Sequence, residues 1–321
     1  KVIVAPVGTT LYPTKGEPLT MKVAKIRGAE SEGMICAADE LGLSDDHSGI
    51  LVLPADTTVG MAASDYFQLA EDWVFEIGLT PNRMDAMSHW GVARDICTYL
   101  SHHENKPFHP VLPQTVLPAK AKEQFPVKVT IENKAACQRY SGISISNITV
   151  QESPQWLQQK LKAIGQRPIN NIVDVTNFIL HETGQPLHAF DLDAIKGREV
   201  VIKNLPQGTP FKTLDGKERS LHEQDLMICN GAGEPMCLAG VFGGQESGVT
   251  TATKRIFLES AWFNPVDIRK TSFRHSLRTD AALRFEKNRD ISSTAEVLTR
   301  AAALITTITG GTIASDVVDV Y

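Results

Sequence analysis

Cysteine is scarce and unpaired in pattern. The five residues Cys36, Cys97, Cys137, Cys229 and Cys237 form no C-x-x-C pair and are odd in number, so neither a structural zinc site nor a disulfide framework is expected. The histidines at 102, 103, 109, 181, 188, 222 and 275 give no H-x-x-x-H or H-E-x-x-H spacing, which leaves metal-assisted hydrolysis without support. No apolar run approaches the roughly 18 to 20 residues that cross a bilayer. The first residues, Lys1 to Thr10, also lack a charged head followed by an apolar core, so the cytoplasm is the expected location. The formal charge of −5 excludes coating of nucleic acid by bulk electrostatics and leaves only a focused contact, or one shared with a partner. There is no internal repeat and no low-complexity tract. The chain opens at Lys1, inside the strand-like run Val2, Ile3, Val4, and is expected to be a piece of something longer.

What is present is an ordinary globular composition, 42% hydrophobic and 21% charged over 321 residues, enough for two or three cores. Pro107, Pro110, Pro113 and Pro118 crowd the stretch from Glu104 to Lys120, which rules out a helix and predicts an extended connector. Before it, short β-type runs (1–7, 19–26 and 50–54) separated by Gly and Pro turns read as a small barrel or its remnant. Trp73 to Ile77 reads as one more strand. The Thr80-Pro81-Asn82 turn follows, and then a helix from about Asp85 with Val92, Ile96 and Leu100 at helical spacing.

Beyond the prolines, alternation at Val127, Val129, Ile131 and at Ile143, Ile145 predicts strands. Ser153-Pro154 starts a helix bearing Trp156, Leu157, Leu161 and Ile164, stopped by Gly165. Asp215-Gly216 predicts a hairpin, 255–259 a strand, and 292–309 a helix ended by Gly310-Gly311. Strands and helices without strict alternation make the fold class α+β and multidomain. The expected divisions are 1–72 (a partial oligonucleotide-binding-like barrel), 73–105 (a small α/β linking domain), 106–120 (the proline linker) and 121–321 (a larger mixed α+β module).

Candidate chemistry is dispersed. Thr176 and Asn177 interrupt an apolar run, and His188 lies between Pro186 and Phe190. Such residues serve either as helix caps and core polar groups or as a site. The glycine-rich stretch 237–248 permits close approach of a ligand to the backbone, yet it lacks the Gly-Lys-Ser/Thr ending of a phosphate loop and the G-x-S-x-G nucleophile elbow. Glu259, after Ile256-Phe257-Leu258, is either a solvated strand edge or a carboxylate aimed into a pocket. Arg274, His275, Arg278, Arg284, Lys287 and Arg289 form a basic stretch open to two readings, a phosphate contact or a solvated face.

Several strings, taken in order, resemble the bacterial phenylalanine–tRNA ligase beta-subunit family. They are Ser-Glu-Gly-Met-Ile-Cys36, Leu-Gly-Leu-Ser-Asp-Asp-His-Ser-Gly49, Leu-Thr-Pro-Asn-Arg83 with Gly-Val-Ala-Arg-Asp95, Val-Asp-Val-Thr-Asn177, Gly-Gln-Pro-Leu-His-Ala-Phe-Asp191 and Arg-Thr-Asp-Ala281. The resemblance spans nearly the whole chain and implies that 121–321 is a tRNA-editing module. It further implies a pocket in which His188 and Thr279 act on the ester, while Arg167, Thr176, Asn177, Pro186, Gly243, Glu259 and Ala281 bind substrate. Family members often carry glycine at the position of Asn288, and asparagine tolerates the same left-handed backbone.

The implied reaction is hydrolysis of tyrosine wrongly esterified to tRNA(Phe). A hydrophobic synthetic site rejects an added hydroxyl by only about a hundredfold, so a second site must read the hydroxyl itself, and Glu259 can accept a hydrogen bond from the phenol. A positioned water is the expected nucleophile, with His188, Thr279 and backbone N–H groups near Gly243 orienting the ester. The base is left open, and the tRNA's own hydroxyl is one candidate. No cofactor or metal is expected in this part. ATP and magnesium are implied for the complete synthetase, on an alpha subunit with which the chain forms an α2β2 assembly. The alternative is a non-catalytic scaffold that holds tRNA or the alpha subunit.

Overall fold

In the computed structural model, which describes residues 1–67 and 72–321, the chain divides into two compact units, Lys1–Trp73 and Val74–Tyr321. The end of the expected 1–72 barrel, residues 68–71, lies outside the described residues. The first unit is built of short antiparallel ladders. β1 (Val4–Pro6) pairs β6 (Gly33–Ile35), β2 (Thr10–Leu11) pairs β3 (Leu19–Thr20), and β4 (Ala24–Ile26) pairs β5 (Ala29–Ser31). Ala5, Leu11, Met21 and Cys36 form its small core, and a single-turn helix α1 (Ala63–Tyr66) follows. Of the run 50–54, Ile50 and Val52 contribute only isolated bridges, to Ala37 and Val2.

The expected strand at 73–77 is absent, because no segment among the described residues pairs with it. Trp73 and Phe75 stand 87% and 77% exposed. α2 (His89–His103) starts later than expected, after a 3-10 turn at Met84–Ala86, because Ser88 supplies the cap by accepting from Gly91 N. Residues 104–119 take no helix or strand, as their prolines dictate.

From there the unit is a stack of two sheets and a helical layer. The first sheet has the order β15-β14-β13-β10-β7, built from β7 (Lys128–Ile131), β10 (Glu199–Asn204), β13 (Leu226–Asn230), β14 (Pro235–Leu238) and β15 (Phe242–Gly243). The second has the order β17-β8-β16-β9, with β8 (Cys137–Ser146), β9 (Leu187–Asp191), β16 (Arg255–Phe263) and β17 (Thr312–Ile313), and β18 (Val318–Val320) also pairs β8. The expected hairpin at Asp215-Gly216 joins β11 (Pro210–Lys212) to β12 (Glu218–Ser220).

Period-two alternation on β16 splits it between two cores. Ile256 and Leu258 join Ile143 and Ile145 of β8 under the helices α3 (Gln155–Ala163), α4 (Asn171–Thr183) and α7 (Thr294–Thr309), while Phe257, Ala261 and Phe263 face the first sheet. α4 begins where Asn170 accepts from Ile172 N and Val173 N. It buries Ile172, Val175 and Ile179 and stops at Gly184, whose φ of +82° a side chain would strain. The apolar run is therefore one helix straight through Thr176 and Asn177, because the Thr176 hydroxyl donates back to Val173 O within the helix. Two further helices, α5 (Pro265–Arg274) and α6 (Asp280–Phe285), are capped by Asn264 and Thr279. The architecture is mixed α+β with several sheets. Among the described residues no helix is long and apolar enough to cross a membrane.

Candidate functional site

Two of the expected residues meet by strand register. In the antiparallel pairing of β16 with β9, Glu259 lies directly opposite His188, so both side chains leave the same face, the one turned toward the first sheet. Glu259 does not end its strand as expected but sits at its middle, since β16 continues to Phe263, and it is only 4% exposed. One hydrogen bond reaches its carboxyl among the described residues, donated by the Tyr140 hydroxyl of β8 to Oε2 at 3.1 Å. Burial pushes the Glu259 pKa up to about 8, against the Tyr140 hydrogen bond, which works to lower it. Burial likewise pushes the thiols of Cys137 and Cys237 up, with the Glu259 charge adding to both. The carboxyl thus lies among neutral groups.

His188 packs edge-on against Phe190, their ring centroids 4.4 Å apart. Its Nε2 is shut off from solvent without a hydrogen-bond partner among the described residues, and burial lowers its pKa to about 4. At neutral pH it is an uncharged imidazole with one ring nitrogen uncommitted. Gly243 of β15 closes over this ring. A Cβ there would lie 2.9 Å from His188 Cε1 and 2.8 Å from Leu214 Cδ1, so the site needs a glycine for close approach. The backbone beside it is largely committed, because Gly243 O accepts from Leu214 N and Gly244 N donates to Met236 O.

Thr279 donates to Val241 O at 2.9 Å and caps α6 by accepting from Ala282 N. Its single proton is therefore spent on holding the 241–243 segment rather than free for a ligand. Pro186 is buried, and its carbonyl accepts from Gln185 Nε2. Arg167 is exposed between α3 and α4, Asn177 lies half-buried on α4, and Ala281 is half-buried in the first turn of α6. Thr176 is buried with its hydroxyl turned back on the helix. Among the described residues none of Arg167, Thr176, Asn177 and Ala281 is hydrogen-bonded to His188 or Glu259.

Four members of the basic stretch are paired within the fold. Arg274 and His275 both meet the fully buried Asp225, Arg278 pairs Glu286 at 2.8 Å, and Arg284 pairs Asp280 at 2.7 Å. Arg289 is 9% exposed and bonds the carbonyls of Met84 and Thr183. Asn288 takes φ of +66°, the left-handed conformation expected of it. Tyr140 was not legible as a site residue. Its signal, a tyrosine two residues before Gly142 in a strand, acquires meaning only once that strand is known to pair with Glu259. No group of three or more His, Cys, Asp or Glu placed to hold a metal occurs among the described residues.

Comparison with known proteins covers the same ground. The family model "B3/4 domain" matches residues 136–310, and the model "Putative tRNA binding domain" matches 18–62. The chain is 52% identical over 320 residues to the phenylalanine–tRNA ligase beta subunit of Bacteroides fragilis, covering 100% of this chain and 39% of that one. It is 51% identical over 321 residues to that of Porphyromonas gingivalis and 45% over 329 residues to that of Salinibacter ruber, covering 100% and 99% of this chain and 39% of each relative. The chain therefore spans about two fifths (39%) of the length of the curated relatives it matches. A solved N-terminal fragment of the phenylalanyl-tRNA synthetase beta subunit from Pyrococcus horikoshii overlaps at 17% identity with a TM-score of 0.40, covering 74% of this chain and 64% of that one, too loose a superposition to bear on the fold.

Proposed function

Because the chain belongs to the phenylalanine–tRNA ligase beta-subunit family, we propose that it is the part of that enzyme which binds tRNA(Phe) and hydrolyses tyrosine wrongly esterified to it. The observation that carries this reading is the buried carboxyl of Glu259 set opposite the neutral ring of His188, with no cation paired to it among the described residues. Once ionised, a buried carboxylate with a spare oxygen favours a ligand that brings a hydroxyl proton and penalises one that brings a bare ring. Phenylalanine would leave the oxygen unpaired, and tyrosine would satisfy it. His188, uncharged, orients the ester and its attacking water, and Gly243 leaves that ring its place, where a side chain would push it aside. Thr279 contributes by fixing the 241–243 segment through Val241 O.

In the complete enzyme we place ATP, magnesium and amino-acid activation on the alpha subunit, tRNA contact partly on the 18–62 segment, and the whole in the cytoplasm as an α2β2 assembly. The test is deacylation of tyrosyl-tRNA(Phe) and phenylalanyl-tRNA(Phe) by the assembled enzyme. Selective release of tyrosine is expected, and Glu259→Ala is expected to narrow the preference by about 1 to 3 kcal/mol. An enzyme that leaves tyrosyl-tRNA intact would instead make this part a scaffold for tRNA or the alpha subunit.

A further inference from the structure

We propose that Tyr140 is the positioning residue of this site, its hydroxyl holding one oxygen of the ionised Glu259 carboxylate so that the other, Oε1, stands as the acceptor for the para-hydroxyl of an aromatic side chain. The proposal rests on the deacylation reading above and names the device by which that reading would reach selectivity. Register supplies the geometry. Glu259 is opposite Gly142 and Ala261 is opposite Tyr140, so Tyr140 lies one step along β8 on the same face and reaches Glu259 diagonally across the sheet. Gly142 leaves that row empty of a side chain, and the ring of Phe257 fills the space, since a Cβ at 142 would lie 2.1 Å from Phe257 Cζ. Tyr140 is fully buried, so its proton has no water to go to, and Glu259 Oε2 is its acceptor at 3.1 Å.

A glutamate's terminal torsion is broad, and a carboxyl without a fixed partner would turn either oxygen toward a ligand. The Tyr140 hydrogen bond sets its plane. Among the described residues, every titratable group facing the carboxyl is uncharged at neutral pH: His188 on β9, Cys137 and Tyr140 on β8, and Cys237 on β14. Hydrogen bonds, not ion pairs, therefore decide how the carboxyl presents itself. Tyr140 supplies the one it has, and a substrate phenol would supply the second.

The test uses the complete beta subunit assembled with its alpha partner. Tyr140→Phe, with folding checked by circular dichroism and charging with phenylalanine checked in parallel, should reduce the tyrosine-over-phenylalanine deacylation ratio roughly three- to tenfold, the worth of one neutral hydrogen bond. Because the lost bond favoured the ionised carboxyl, the pH limb of tyrosyl-tRNA deacylation should move to higher pH. Combined with Glu259→Gln, Tyr140→Phe should cost nothing further, since it acts through that carboxyl. A full preference retained in Tyr140→Phe, an unmoved limb, or additive losses would each overturn the proposal. Should Tyr140→Phe not fold, difluorotyrosine in place of Tyr140 keeps the ring and strengthens the donor. The limb should then move to lower pH, and an unmoved one overturns the proposal. Wild-type enzyme inert toward tyrosyl-tRNA would overturn both the proposal and the reading beneath it, whereas active wild type with an indifferent Tyr140→Phe overturns the proposal alone.

Discussion

Glu259 is the residue at which burial, charge and function meet. Its folded pKa of about 8 stands above the ordinary 4.5, so the folded state holds the proton more tightly than the unfolded chain. The stability this contributes is complete below about 4.5 and is lost as pH rises from there through about 8. Glu259→Gln, which cannot ionise, should therefore match the wild type in thermal stability at low pH and pull ahead across that window, levelling off above it. Melting curves taken at a series of pH values would show this, and a constant gap at all pH values would mean that the carboxyl is not strained by burial. Gly243 makes a different demand. Alanine there must push His188 aside, since its Cβ would come within 2.9 Å of the ring. Misplacement of a group that orients a reacting ester is costly, so Gly243→Ala should slow tyrosyl-tRNA deacylation roughly tenfold or more while leaving phenylalanine charging intact. Unchanged deacylation would move the reaction away from His188.

Elements were legible where local chemistry decides them and illegible where a neighbour does. α4 carries its own start and stop, so Asn170→Ala should cost about 1 kcal/mol in unfolding free energy, measured by denaturant titration, with the folded spectrum unchanged. A cost near zero would mean that packing under β8 and β16 alone holds the helix. The hairpin at Asp215-Gly216 and the stop at Gly310 are local in the same way. The run 73–77 is rich in strand-forming Trp, Val, Phe and Ile, yet a strand exists only by pairing, and the sequence does not say whether a partner is present. Glu259 was misjudged as a strand end for a related reason: the residues after it, Ser260 and Ala261, carry no strong strand signal, and their strand is set by pairing to β8 and β9. The basic stretch reads as open to phosphate in part because Asp225, which meets both Arg274 and His275, lies far away in sequence. Among the site residues, His188 lies in a legible motif and Glu259 follows a legible apolar strand run, while their facing each other follows only from register, and Tyr140 comes from register alone.

At the scale of the second unit, the stretch 104–120 decides how independently the α2 region and the two-sheet body behave. Its residues form no helix or strand before an isolated bridge from Lys120 to Ile313, and Val111 and Val116 are 85% and 80% exposed. It is nevertheless not free along its whole length. Arg300 of α7 donates to Pro113 O at 3.2 Å and to the Thr115 hydroxyl at 3.4 Å, and the segment 112–115 helps line a cavity of about 740 Å³ together with Trp90, Arg94 and Arg289. On the α2 side, Ser101 holds Phe108 through its hydroxyl. The backbone that remains most open to a protease is thus the part from 109 to 112 and the part just beyond Thr115. Proteolysis needs an exposed segment that can be drawn out locally, and these two places meet that condition best. Thermolysin under native conditions should therefore cut beside Val111 or Val116 before it cuts anywhere in 127–321. The C-terminal fragment should keep its near-ultraviolet circular dichroism, because both sheets and α3, α4 and α7 lie wholly within it. Mass spectrometry of the first products identifies the sites. First cuts confined to 127–321 would show that the proline stretch is held as firmly as the body and that no boundary lies there.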